Sequence, residues 1–197
     1  MFIQDISGKC ADADLMRKQE ALWMADVKPG AHGYLGYTGG VTADGRTISL
    51  ARFESESAAQ NNSSRPEQGE WWDATAAAYD GTPTFDNCHV VDLLFGGGSN
   101  DAKFVQVIQG TAKDREAVRK FMQDGQDELR AHRPDILGIV VAWHGDSNDF
   151  TQAVYFKSEE ETRQQEKATE GEAMRQQYQD LFAGPPTFYD LTDPVFD

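Results

Sequence analysis

Arg133 to Glu161, RPDILGIVVAWHGDSNDFTQAVYFKSEEE, is a second version of Lys28 to Ser57, KPGAHGYLGYTGGVTADGRTISLARFESES. Lys28-Pro29 matches Arg133-Pro134, Gly33 matches Gly138, Gly40 matches Gly145 and Asp44 matches Asp149, each pair 105 positions apart (138 − 33 = 105). Downstream the spacing falls to 103, pairing Phe53 with Phe156, Ser55 with Ser158 and Pro83-Thr84-Phe85 with Pro186-Thr187-Phe188. Upstream, Phe2-Ile3-Gln4, Gly8 and Asp12 match Phe104-Val105-Gln106, Gly110 and Asp114 at a spacing of 102. A period this long means two whole supersecondary units rather than a solenoid of short repeats.

Within each copy the apolar periodicity changes in the same order. Phe2 to Ser7 reads as a strand, and Asp12 or Asp14 caps a helix carrying Leu15, Met16, Leu22, Trp23 and Val27. Gly33 to Thr38 and Thr47 to Phe53 form a hairpin, a broken helical region runs from Ser55 to Tyr79, and His89 to Phe95 is a fourth strand beside the first. In the second copy Phe104 to Gln109, a helix capped by Asp114, the hairpin Ile136 to Trp143 with Phe150 to Phe156, and a helix opening at the capping box Ser158 to Glu161 follow in turn. Met174, Tyr178, Leu181 and Phe182 supply the apolar stripe of the last helical region, and Phe188 to Phe196 closes the chain as a strand or extended tail. Strand, helix, strand, strand, helix, strand is the order of the ferredoxin-like split unit. The expected fold is therefore α+β: two tandem ferredoxin-like units, 1–95 and 104–197, joined by the linker 96–103 and packed sheet to sheet as a homodimer would be.

The bulk composition narrows the function. A formal charge of −15 argues against nucleic acid and anionic membrane as partners, because phosphate binding needs clustered Lys and Arg. The start MFIQDISGK lacks a basic, apolar export signal, no apolar run reaches bilayer length, and Cys10 and Cys88 lack metal spacing; a cytoplasmic protein is expected, with a Cys10–Cys88 disulfide disfavoured in that compartment. There is no phosphate loop, HExxH, CxxC or nucleophile elbow, so phosphoryl transfer and zinc hydrolysis have no support and neither metal nor cofactor is expected.

The Gly-opened strand, polar turn, strand ending in an aromatic, and Ser plus acids entering a helix, seen at Gly33 to Ser57 and Gly138 to Glu161, resemble the antibiotic biosynthesis monooxygenase-like domains of the dimeric α+β barrel superfamily, here as a tandem. The resemblance implies a cavity between sheet and helices in each half, and a family that includes cofactor-free oxygenases of aromatic polyketides and haem degraders. The Asn, Trp and His set of the haem degraders has no counterpart in the second helical region of either copy, which counts against haem.

Differences between the copies mark candidate site residues. His144, beside Trp143 at a strand end, carries an imidazole, a group whose ordinary range makes it a candidate base or substrate hydrogen-bonder, against the plainer reading of a surface turn histidine. Trp71 and Trp72, in a stretch with no sequence match in the second copy, are candidates to wall an aromatic ligand, against packing between helix and sheet. Arg52, whose counterpart is Tyr155, would clamp a carboxylate or enolate, against a salt bridge with a neighbouring acid. The expected ligand is a small apolar or aromatic molecule, the expected assembly a pseudo-dimeric monomer or homodimer. Two functions fit: a cofactor-independent monooxygenase, with His144 and Arg52 catalytic and Trp143, Trp71, Trp72 and Tyr155 on the substrate, or a noncatalytic ligand-binding or stress-response protein.

Overall fold

The computed structural model describes residues 1–167, 172–191 and 194–197. Its elements run β1 (Phe2–Lys9), α1 (Ala13–Leu22), β2 (Tyr34–Val41), β3 (Arg46–Phe53), α2 (Glu56–Ser63), α3 (Pro66–Ala76), β4 (Thr84–Cys88) and β5 (Val90–Leu94). Then come β6 (Phe104–Thr111), α4 (Arg115–Asp124), α5 (Gln126–His132), β7 (Ile136–Trp143), β8 (Asp149–Phe156), α6 (Glu159–Glu166), α7 (Glu172–Asp180), β9 (Thr187–Leu191) and β10 (Val195–Phe196). The strands form two antiparallel sheets of the same order, β10-β2-β3-β1-β4 and β5-β7-β8-β6-β9. Both repeats thus keep the order read from the sequence, with helices between the outer and hairpin strands. Among the described residues no helix is long and apolar enough to cross a membrane.

The chain divides into one unit of Met1–His89 with Val195–Asp197 and another of Val90–Pro194. This departs from a boundary at residue 95. The strand beside β1 is β4, with Ile3 opposite Cys88, whereas β5 pairs with β7, Val90 opposite Trp143. The expected fourth strand His89 to Phe95 is therefore an edge strand of the second sheet, and the segment 96–103 lies inside the second unit, turning β5 into β6. The closing segment is likewise two strands: β9 lies beside β6, and β10 pairs with β2, Val195 opposite Gly39. Thr192 and Asp193, within that expected tail, lie outside the described residues, as does the side chain of Met174.

The spacing of the copies also changes. Both β2 and β7 carry a bulge, between Tyr34 and Gly36 and between Ile136 and Gly138, so Gly36 corresponds to Gly138 at a spacing of 102 (138 − 36 = 102). The offset becomes 103 at β3 and β8 because the second hairpin turn, 144–148, is one residue longer than the first, 42–45. Trp143 and His144 consequently stand where the first copy has Val41 and Thr42, not Thr38 and Gly39.

Polar side chains fix the helix starts. Asp12 Oδ1 accepts from the Leu15 amide at 2.9 Å, Asp114 Oδ1 from Ala117 at 3.0 Å, and Ser55 and Ser158 cap α2 and α6 in the same way. Asp12→Ala is expected to lower stability by about 1 kcal/mol, read as a shift in the urea midpoint with unchanged slope. In the second unit Phe104, Val118, Trp143, Phe150, Phe156 and Phe182 pack in one apolar cluster. In the first, Trp23 and Val27 pack with Tyr34 and Trp71, while Phe2, Phe53 and Ala59 form a separate cluster. Cys88 opposes Ile3 near the start of β1 and Cys10 follows its end, so both thiols are free; burial pushes that of Cys88 up to about 12.

Candidate functional site

Strand alternation sends Ser49, Ala51 and Phe53 of β3 to one face of the first sheet and Ile48, Leu50 and Arg52 to the other. Between that first face and α1 and α3 lies a cavity of about 320 Å³. Trp23, Trp71 and Trp72 wall it, and Gln4, Glu20 and Tyr37 bring polar atoms to it. The volume and the mixture of aromatic wall with few polar groups are those of a small-molecule site.

Each tryptophan is held by its neighbours. Trp23 starts a single π-helical turn, its carbonyl accepting from the Lys28 amide, a geometry common at functional sites. Its Nε1 donates to Gln68 Oε1 at 2.8 Å, an oxygen that also accepts from Asn62 Nδ2 at 3.2 Å. Arg65 Nη1 in turn donates to Asn62 Oδ1 at 2.9 Å and Nη2 to the Val27 carbonyl at 3.0 Å. Trp71 Nε1 donates to the Gln19 carbonyl at 2.7 Å, and the Trp72 ring meets Phe85 edge to face at 5.1 Å between centroids. The satisfied indole N–H groups of Trp23 and Trp71 and the ring contact of Trp72 hold these ring planes in place.

One carboxylate lies among these rings. Burial raises the Glu20 carboxyl above its ordinary value, opposed by the hydrogen bond from the Tyr37 hydroxyl and by the Arg17 charge. Tyr37 Oη donates to Glu20 Oε1 at 3.1 Å and lies 2.7 Å from Ser49 Oγ. Burial, with the Glu20 charge second, pushes the Tyr37 phenol well above its ordinary value, so it stays protonated. The pair sets a carboxyl group raised by burial beside a phenol that stays neutral.

The residues singled out from the sequence divide accordingly. Trp71 and Trp72 line this cavity; Arg52, His144, Trp143 and Tyr155 do not. Arg52 points to the opposite face of its sheet, with Nη1 donating to Thr38 Oγ1 at 3.2 Å and Nη2 to the Asp197 carbonyl at 3.1 Å; it anchors backbone rather than clamping a ligand. The second unit has its own cavity of about 330 Å³, and Trp143, His144 and Tyr155 stand outside it too. Trp143 is wholly buried, packed on Phe150, with Nε1 donating to Asp92 Oδ2 at 2.9 Å and Arg115 over its ring, which makes it core rather than ligand wall. Tyr155 is equally buried. His144 is a turn residue whose Nε2 lies 3.0 Å from Thr151 Oγ1.

Glu20, Trp23 and Tyr37 were not among the sequence candidates. The signal for Glu20 lies in the repeat: at the spacing of 102 its counterpart is Met122, which α4 buries. A carboxylate where the other copy keeps a core methionine is unexpected from packing alone.

No family model and no curated protein sequence matches the chain. Solved structures do. A candidate monooxygenase from Lactobacillus acidophilus NCFM superposes with a TM-score of 0.71 at 14% identity, covering 100% of this chain and 99% of that one. A candidate monooxygenase from Fusobacterium nucleatum gives 0.72 at 12%, covering 96% and 90%. An anthrone oxidase-like protein gives 0.63 at 11%, covering 99% and 93%. At these identities the likeness is one of fold alone, a fold built here from two ferredoxin-like units in a single polypeptide.

Proposed function

We propose that the cavity of the first unit binds a planar aromatic or polyketide-like carbon acid and oxygenates it without metal or flavin, Glu20 acting as the base. The Glu20–Tyr37 pair inside a tryptophan-walled cavity is the observation that carries this reading; the shared fold with candidate monooxygenases and an anthrone oxidase-like protein supports it. The substrate this geometry suits is a ketone with an acidic CH₂ in or beside a fused ring. The Glu20 carboxylate takes one proton from that carbon, and a bound ring against the tryptophan wall would displace water from around the carbanion. The carbanion passes its electrons to O₂ and a C–O bond forms. Loss of the second carbon-bound hydrogen with O–O cleavage leaves a carbonyl, so CH₂ and O₂ become C=O and H₂O. Tyr37, protonated throughout, is placed to hydrogen-bond the carboxyl as its charge changes.

Oxygen uptake with a panel of fused-ring phenols and anthrone-type ketones, run with a chelator present and alongside native mass spectrometry, tests the reading. Stoichiometric oxygen consumption with a carbonyl product is the expected result. A ligand adduct of the intact chain with no oxygen uptake across the panel would instead assign a noncatalytic binding protein.

A further inference from the structure

We propose that the cavity of the second unit is a separate site for a neutral, largely apolar small molecule carrying one hydrogen-bonding group, which it binds without reaction. This goes beyond the reading of the first cavity and does not depend on it. The two cavities occupy equivalent places, and at the spacings of 102 and 103 their lining residues can be compared one by one. Glu20 becomes Met122, Tyr37 becomes Ile139, Trp23 becomes Gly125, Ser49 becomes Gln152 and Thr75 becomes Tyr178. The proton acceptor and its phenol partner are thus both replaced by apolar side chains, while space opens where Trp23 stood.

The polar groups that remain suit a neutral ligand. Tyr178 Oη donates to Gln152 Oε1 at 2.6 Å, and burial pushes the phenol above its ordinary value, so the pair is uncharged. Gln152, 5% exposed, lines the cavity, and with its Oε1 taken by the phenol it has only its amide hydrogens to offer a ligand oxygen. The charged groups at the lining already have partners. Arg133 makes two bonds to the buried Asp135 at 2.9 and 2.7 Å, Arg163 bonds both oxygens of Glu166, and Arg175 Nη1 donates to the Glu166 carbonyl at 3.2 Å. An ionic ligand would have to compete with these pairs, whereas a ketone or alcohol oxygen only needs the amide.

The test is a fluorescence titration of the full chain with the neutral probe N-phenyl-1-naphthylamine. Gly125→Trp returns the ring that the first unit carries at the same place, at a backbone φ of −88° that any residue adopts. Val154→Phe fills the cavity from β8 and serves if the first variant folds poorly, with near-ultraviolet circular dichroism reporting folding. The expected result is that each folded variant loses one equivalent of probe, or binds it at least about tenfold more weakly. Wild-type binding retained in both variants, or no binding by the wild type, would overturn the proposal. Either outcome leaves oxygen uptake as an independent measure of the first site.

Discussion

Glu20→Gln is expected to lower turnover of the first cavity's substrate by a factor of about 10² to 10⁴, the usual contribution of a positioned base. Substrate binding should change only a few fold, since glutamine keeps the size of glutamate and can still accept from the Tyr37 hydroxyl. The pH dependence separates a base from a structural carboxylate. Burial raises the Glu20 pKa, so turnover should climb as pH rises through a value above the ordinary glutamate range, and the Gln variant should lose that limb. Stability should move the other way. Between the ordinary value and the raised one the folded chain holds a proton that the unfolded chain has released, so stability falls as pH rises through that window. The Gln variant should lack this fall as well. A variant with wild-type turnover would remove Glu20 from the mechanism.

Gly138→Ala is expected to produce the largest loss of stability, about 3 kcal/mol or more. A Cβ at Gly138 would lie 1.6 Å from the Gly97 carbonyl oxygen and 2.8 Å from its carbon, and backbone cannot step aside as a flexible side chain can. The first unit repeats the arrangement at Gly36, where a Cβ would meet the Asp197 carbonyl oxygen at 2.5 Å and φ is +140°. Both glycines sit at the bulge that begins the hairpin strand, and both let an edge segment of chain approach closely. Gly184→Ala, with no heavy atom within 4 Å of its new methyl group, is the control and should be near neutral. Urea unfolding of the three chains decides the point; equal midpoints for Gly138→Ala and wild type would mean that the approach at Gly97 is easily relaxed.

The repeat made the architecture legible because glycines, caps and strand-ending aromatics answer to local backbone geometry, which each copy must satisfy by itself. Trp71 and Trp72 stood out for the opposite reason, as a difference between the copies: at the spacing of 103 Trp72 corresponds to Arg175, and each of these two residues lines its own unit's cavity. Glu20 was not legible, because a glutamate on an amphipathic helix ordinarily marks the solvent face and only the fold shows the cavity above the sheet. Trp143 was singled out as a difference between the copies, and the fold buries it in the core of the second unit. Its burial depends on Asp92, a residue of β5, and nothing local in the sequence announces that β5 leaves the first repeat to lie beside β7.

That pairing pattern bears on the order in which the protein can be completed during synthesis. The first sheet has β2 at its margin until β10 arrives, and Val195 emerges 142 residues after Phe53 (195 − 53 = 142). Until then the backbone of Tyr34–Val41 presents an open row of amides and carbonyls, the feature that recruits wrong strands. The glycines of YLGYTGGV supply little side-chain surface to hold an intruder, and they weaken exactly the edge that must wait longest.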